Sequence, residues 1–182
     1  MQMLKKTRRQ KGFTLIEAII SMGILVVGVF SLTSIFTSGL QSSSRVQVEF
    51  IAQQKAQQAM ECLFTARDTR ILSWAQINNV SQGGVFLDGP QPLYAPGPDG
   101  IVGTKDDDPT QPDAITVGPG PDGVMGTSDD QIINLNPWMT RTIVITPVNG
   151  TPNLNQVTIT INYTYQGATN QFQLVTYISN YA

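Results

Sequence analysis

The chain has 182 residues, no histidine and one cysteine, which fits one domain plus an appendage and excludes an internal disulfide. The lack of histidine also excludes histidine-based acid–base catalysis and metal ligation, and no serine, threonine or tyrosine has an evident base, so we expect no enzyme. Five of the 11 basic residues precede Phe13, whereas the remainder has six Lys and Arg against 13 Asp and Glu. Because this acidic remainder has no basic patch, we expect no nucleic-acid partner.

The first predicted element is a basic leader, residues 1–12, which ends at Gly12. Lys and Arg that flank a membrane span are retained on the cytoplasmic side. Over residues 13–40 Glu17 is the only charge, so this segment could cross a bilayer as a helix. An ordinary secretory signal has its apolar region before the cleavage site, whereas here the apolar region follows the glycine. An acid inside such a span is costly and indicates a function.

Residues 11–18, with the sequence KGFTLIEA, resemble the class III signal of type IV pilins and type II secretion pseudopilins. The resemblance implies cleavage after Gly12 by a prepilin peptidase and N-methylation of the new amino terminus at Phe13. It also implies that Glu17 neutralises the terminal amine of a neighbouring subunit during filament assembly. An amine and an acid at nearly the same depth attract strongly in a low dielectric. Two alternatives stay open: an uncleaved signal anchor, and a Glu17 that is simply favoured by the helix dipole.

The predicted helix continues to about residue 76 and becomes amphipathic in its second half. Small and apolar residues recur there every three or four positions, which predicts a face packed on a sheet. The residues of this face include Ala52, Ala56, Ala59, Met60, Leu63, Phe64 and Ala66. Cys62 lies in the same half and is expected to be a small apolar residue rather than a reactive thiol.

Residues 88–136 are rich in Pro, Gly and Asp and contain a duplication. Residues 96–107 and 119–130 are identical at nine of twelve positions, with a spacing of 23 residues. Each copy combines carboxylates with glycines that let carbonyl groups turn inward, which suits Ca²⁺. We therefore predict calcium as a cofactor, although two solvated Asx turns would give the same pattern. The predicted calcium ligands are Asp99, Asp106 and Asp107 in the first copy and Asp122, Asp129 and Asp130 in the second.

The C-terminal part predicts three antiparallel strands at residues 140–147, 156–166 and 172–178. These segments alternate in polarity and are rich in β-branched and aromatic residues. Asn149-Gly150 and Gln166-Gly167 predict the turns between them. The apolar positions of the middle strand are expected to cover the apolar face of the helix. They are Val157, Ile159, Ile161 and Tyr163.

Together these patterns predict an α+β, pilin-like fold: a long N-terminal helix packed on a small C-terminal antiparallel sheet, with an irregular Gly/Pro/Asp-rich insertion. The expected divisions are a leader (1–12), a transmembrane and assembly segment (13–40) and a globular domain (41–182) with acidic loops at 96–108 and 119–130.

The resemblance implies a structural subunit of a type IV pilus or a type II secretion pseudopilus. The mid-chain insertion and the absence of proline before Pro90 favour a minor subunit. Its expected partners are the prepilin peptidase, other pilin or pseudopilin subunits and the membrane. Its expected location is the bacterial inner membrane with a cytoplasmic N-terminus, and after assembly a periplasmic pseudopilus or an extracellular pilus. The alternative is an uncleaved single-span membrane protein with a calcium-binding periplasmic domain.

Overall fold

The computed structural model describes residues 12–181, so the basic residues of the predicted leader lie outside the described residues. The chain divides into two compact units, the first ending at Ser44 and the second beginning at Arg45. A long α-helix, α1 (Leu15–Asp68), is followed by strands, as the α+β prediction requires. The strands of the described part are β1 (Gln91–Pro92), β2 (Tyr94–Ala95), β3 (Asp108–Pro112), β4 (Ala114–Gly118), β5 (Gln131–Asn134), β6 (Met139–Pro147), β7 (Leu154–Tyr165) and β8 (Ala168–Ser179).

The helix ends at Asp68, earlier than the predicted end near residue 76. Arg70 has a φ of 57°, which an α-helix cannot contain, and the Leu72 N–H donates back to the Ala66 carbonyl at 3.2 Å. A short 3₁₀ helix, Trp74–Gln76, follows this turn. The predicted helix was too long because the turn after Asp68 contains no glycine or proline. These residues are the usual sequence signals of a helix end.

The three C-terminal strands and β1 form a four-stranded antiparallel sheet in the order β1-β6-β7-β8. Strands β6, β7 and β8 confirm the three predicted strands. Strand β1 was not predicted, because two residues are too few to show an alternation of polar and apolar positions. Strands β7 and β8 pair along their whole length and meet at Tyr165 and Ala168. The two residues between them, Gln166 and Gly167, have φ values of 50° and 79°, as a two-residue hairpin of type I′ requires.

The core of the second unit lies between α1 and this sheet. The predicted inward positions of β7 are 0–4% exposed, and they form one hydrophobic cluster with the predicted face of α1. Leu63 is fully buried and Met60 is nearly so, whereas Phe64 packs at the margin of the cluster. The period of 3.6 in the helix and the period of 2 in the strand therefore predicted the same core from both sides.

A buried asparagine completes the edge of β6 beyond its short pairing with β1. The side chain of Asn79 is 4% exposed; its Nδ2 donates to the Ile143 carbonyl and its Oδ1 accepts from the Ile145 N–H, both at 2.8 Å. One amide side chain thus replaces a missing strand and leaves neither backbone group unpaired.

The predicted irregular insertion contains two short antiparallel hairpins, β2–β3 and β4–β5. Asp113 lies between them, and its backbone bonds to Leu93 and Leu135 on either side. The Asp113 carboxylate also accepts a hydrogen bond from the Lys55 ammonium of α1 at 2.8 Å, with both side chains less than 15% exposed. A partly buried ion pair therefore ties the insertion to the helix.

Candidate functional sites

The first candidate site is the start of α1. Thr14 caps the helix, because its carbonyl accepts from the Ala18 N–H at 3.2 Å and its Oγ1 accepts from the Glu17 N–H at 3.4 Å. Gly12 and Phe13 precede the helix and are exposed. The Gly12–Phe13 peptide bond therefore lies in non-helical backbone, which a peptidase can bind in extended form. Thr14 was missed by the sequence reasoning, although Thr-x-x-Glu is the pattern of a capping box.

Glu17 lies in the first turn of α1, at the third helical position. Its side chain is exposed, and in the described part of the chain no Lys or Arg nitrogen lies within 4 Å of its carboxylate. The helix dipole favours an acid here by about 0.3–1 kcal/mol. This contribution is too small to offset the cost of placing a carboxylate in hydrocarbon, which is at least about 2.5 kcal/mol. A carboxylate at this position in a bilayer would need protonation, hydration or a cationic partner.

The apolar half of α1 is exposed on every side. No residue from Gly12 to Gln47 is buried, and an 18-residue window in this half has a mean hydropathy of 2.4. Several hydroxyl groups in this region donate to carbonyls one turn earlier, for example Ser21 to Glu17 and Ser31 to Val27, both at 2.8 Å. Such a surface is stable only in lipid or against other apolar helices, where internally bonded hydroxyls are tolerated.

The second candidate site is the duplicated acidic loop. In the first copy the Asp99 carboxylate accepts from the Ile101 N–H at 2.8 Å, and Asp106 accepts from the Thr104 hydroxyl at 2.7 Å. Asp107 accepts from the Gly103 N–H at 2.7 Å. These bonds satisfy the backbone of a tight turn in the manner of Asx motifs.

The second copy repeats these bonds residue by residue. Asp122 accepts from the Val124 N–H at 2.8 Å, Asp129 from the Thr127 hydroxyl at 2.7 Å, and Asp130 from the Gly126 N–H at 2.7 Å. The hydrogen bond from the Thr127 hydroxyl lowers the pKa of the Asp129 carboxyl below its usual value. The duplication in the sequence is therefore a duplication of one loop conformation.

Each loop has a glycine at the same position, Gly97 or Gly120, and the loop conformation requires a residue without a side chain there. A Cβ on Gly97 would collide with the backbone and carboxylate of Asp106, and a Cβ on Gly120 would collide with Asp129 in the same way. Each glycine therefore allows the two arms of its loop to lie in contact.

The two copies differ in their surroundings. The Asp107 side chain in the first copy is 8% exposed, and its Oδ2 lies 3.8 Å from a guanidinium nitrogen of Arg141, whose side chain is 1% exposed. Burial lowers the pKa of Arg141 and raises the pKa of Asp107. The distance is within ion-pair range but beyond hydrogen-bonding range, and the three guanidinium nitrogens have no hydrogen-bond partner. The sequence analysis did not single out Arg141, because a charged side chain in a strand is usually expected to face solvent.

The geometry bears on which residues could hold calcium. Within residues 12–181 no three Asp, Glu or Cys side chains are grouped closely enough to hold a metal ion. In the first loop the Arg141 cation lies 3.8 Å from Asp107 and would repel a metal ion bound there. In the second loop the three aspartates are exposed and have no Lys or Arg nitrogen within 4 Å among the described residues.

Cys62 is partly buried against the core. Burial raises the pKa of its thiol, so the reactive thiolate is disfavoured at neutral pH. This agrees with the prediction of a small apolar residue in this position.

One comparison with known families finds a match that overlaps the first candidate site. A family model, the prokaryotic N-terminal methylation motif, matches residues 7–33. This motif is the signature of type IV pilins and pseudopilins, which are structural subunits rather than enzymes. It implies processing by a prepilin peptidase and assembly with other pilin subunits in the membrane. No curated protein and no solved structure gives a significant match to the chain.

Proposed function

We propose that this chain is a structural subunit of a type IV pilus or a type II secretion pseudopilus. The observation that carries the proposal is the methylation motif at residues 7–33, which overlaps a helix with an apolar surface exposed on all sides. A surface of this kind is stable in a bilayer before assembly and between neighbouring helices after it. The mid-chain duplication and the absence of proline before Pro90 favour a minor subunit.

Processing is the first step of the proposed role. The peptidase cuts after Gly12, and the new amino terminus at Phe13 is methylated. Two features support this assignment: the bond lies in exposed, non-helical backbone, and Thr14 fixes the start of the helix immediately after it. The basic leader keeps the bond at the cytoplasmic face of the inner membrane.

Assembly is the second step. The Glu17 carboxylate pairs with the terminal amine of Phe13 in a neighbouring subunit, and the apolar half of α1 packs among the same segments of other subunits. The exposed carboxylate without a cation supports this role, because a charge in an apolar environment needs a partner. The assembled subunit then lies in a periplasmic pseudopilus or an extracellular pilus.

The alternative is an uncleaved single-span protein with a calcium-binding periplasmic domain. It leaves the positions of Gly12 and Phe13 without a role. Fractionation of cells with and without the assembly ATPase separates the two functions. Our proposal expects the protein in sheared filaments only when the ATPase is present, whereas a protein confined to the membrane in both strains would contradict it.

Calcium binding stays a proposal, and the exposed second loop is the better candidate. We expect calcium at about 100 times its dissociation constant to stabilise the detergent-solubilised full-length protein by about 2.7 kcal/mol relative to chelator. This corresponds to a rise in melting temperature of roughly 5–10 °C. Asp122→Ala should abolish the rise.

Asp99→Ala is the matched control, because Asp99 occupies the same position in the first loop and makes the same bond to the residue two positions on. It should keep the calcium-dependent rise. An equal melting temperature with calcium and with chelator would contradict calcium binding by this protein.

A further inference from the structure

The two copies of the acidic loop have the same conformation but opposite environments. The apolar pair of the first copy, Ile101 and Val102, is 2% and 1% exposed. The corresponding pair of the second copy, Val124 and Met125, is 56% and 57% exposed. Because the internal hydrogen bonds are the same, the loop conformation does not depend on what covers the pair. The first copy is therefore a docked loop and the second is the same loop undocked.

The first copy shows which chemistry covers this loop. Ile101 and Val102 belong to the hydrophobic cluster of the second unit, and Asp107 at the end of the same loop lies 3.8 Å from the Arg141 guanidinium. The covering surface thus combines an apolar wall with an arginine. A partner for the second copy is expected to offer the same two components.

The charge of the second hairpin agrees with this expectation. Residues 114–134 contain three aspartates and no Lys or Arg. Val117 and Ile132, on the strands of the same hairpin, are also exposed, at 51% and 62%. The hairpin therefore presents an apolar and acidic surface, and a complementary surface is apolar and basic.

Such a surface lies at the end of α1, in the same compact unit. A cavity of about 620 Å³ is lined by Arg67, Arg70, Ile71, Leu72, Trp74 and Tyr181, together with nearby polar residues. Ile71 is 53% exposed and Tyr181 is 75% exposed. Arg67 is paired with Asp68, whereas Arg70 is exposed and has no acidic oxygen within 4 Å in the described part of the chain.

We propose that the Val124–Met125 loop of one subunit docks into the Arg70 cavity of a second copy of this chain. The apolar pair covers Ile71 and its neighbours, and the acidic hairpin faces Arg70. The proposal rests on the proposed function, because it describes a contact within the filament. The two surfaces are different, so the contact is head-to-tail and repeats from one subunit to the next, as an open filament requires.

Cysteine cross-linking of the full-length chain in cells tests this contact. Val124→Cys and Ile71→Cys are introduced together into a Cys62→Ala background, and both new cysteines lie at exposed positions. Oxidation should give a ladder of covalent multimers, with the Val124–Ile71 disulfide identified by mass spectrometry. Each single variant should give at least tenfold less product. The pair Val144→Cys with Ile71→Cys is a matched control for two exposed cysteines outside the proposed contact, because Val144 is 44% exposed on the sheet.

Arg70→Glu in the double-cysteine chain should lower the cross-link yield at least tenfold, and an unchanged yield would contradict the role of Arg70. Subunits recovered in sheared filaments without a Val124–Ile71 cross-link would overturn the docking contact and leave the proposed function standing. A ladder in cells whose chain never enters filaments would support the contact and overturn the proposed function. A cross-link from Val124 to a different protein would also overturn the second copy as the partner.

Discussion

Replacing Glu17 with Gln should reduce the amount of this subunit in sheared filaments roughly a hundredfold or more, since a pair of unit charges about 4 Å apart at an effective dielectric of 20 contributes about 4 kcal/mol. Glutamine keeps the size and the helix propensity of the residue but cannot neutralise an amine. Processing at Gly12 and the amount of protein in the inner membrane should be unchanged. Immunoblots of the sheared fraction and of the membrane fraction measure both quantities.

The same experiment separates the two roles of Glu17. If the residue served only the helix dipole, its loss would cost about 0.3–1 kcal/mol and would reduce assembly less than about fivefold. Glu49→Gln is the matched control. Glu49 is exposed on the same helix but lies outside its apolar half, and the substitution removes the same charge. It should assemble like the wild type. Wild-type amounts of the Glu17→Gln variant in filaments would refute the assembly role.

Replacing Arg141 with Met should destabilise the second unit by about 3 kcal/mol or more, because it leaves Asp107 partly buried without its cation. The corresponding fall in melting temperature is roughly 10 °C. Thermal unfolding of the detergent-solubilised full-length protein, followed by the near-ultraviolet signal of its tryptophans, measures the change.

The double variant Arg141→Met with Asp107→Asn provides the control. It removes both charges together with the unbonded nitrogens of Arg141, so no charge is left buried without a partner. The double variant should therefore melt at or above the wild-type temperature. A double variant as unstable as Arg141→Met would show that the arginine is needed for packing rather than for charge.

Most of the fold was visible in the sequence because long periodic patterns specify it. The spacing of Ala52, Ala56 and Leu63 predicted the buried face of α1, and the alternation in β7 predicted the opposite side of the core. The hairpin at Gln166 and Gly167 was predicted by its turn residues. These elements are long enough for their hydrophobic period to dominate over local exceptions.

The missed features are those that depend on single tertiary contacts. The end of α1 at Asp68 depends on a left-handed Arg70, and the edge of β6 depends on the amide of Asn79, neither of which has a sequence signature. The roles of Gly12, Phe13 and Glu17 are predicted from a short motif alone. In contrast, the identical residues of the two acidic loops could not reveal that one loop is buried beside Arg141 and the other is exposed.

The intact mass of the protein purified from cells with an active prepilin peptidase tests the central claim most directly. The account predicts a mass that lacks residues 1–12 and carries one added methyl group, with fragmentation placing the methyl on the amino terminus of Phe13. A mass that retains residues 1–12 in those cells would contradict processing, and with it the assignment of this chain as a filament subunit.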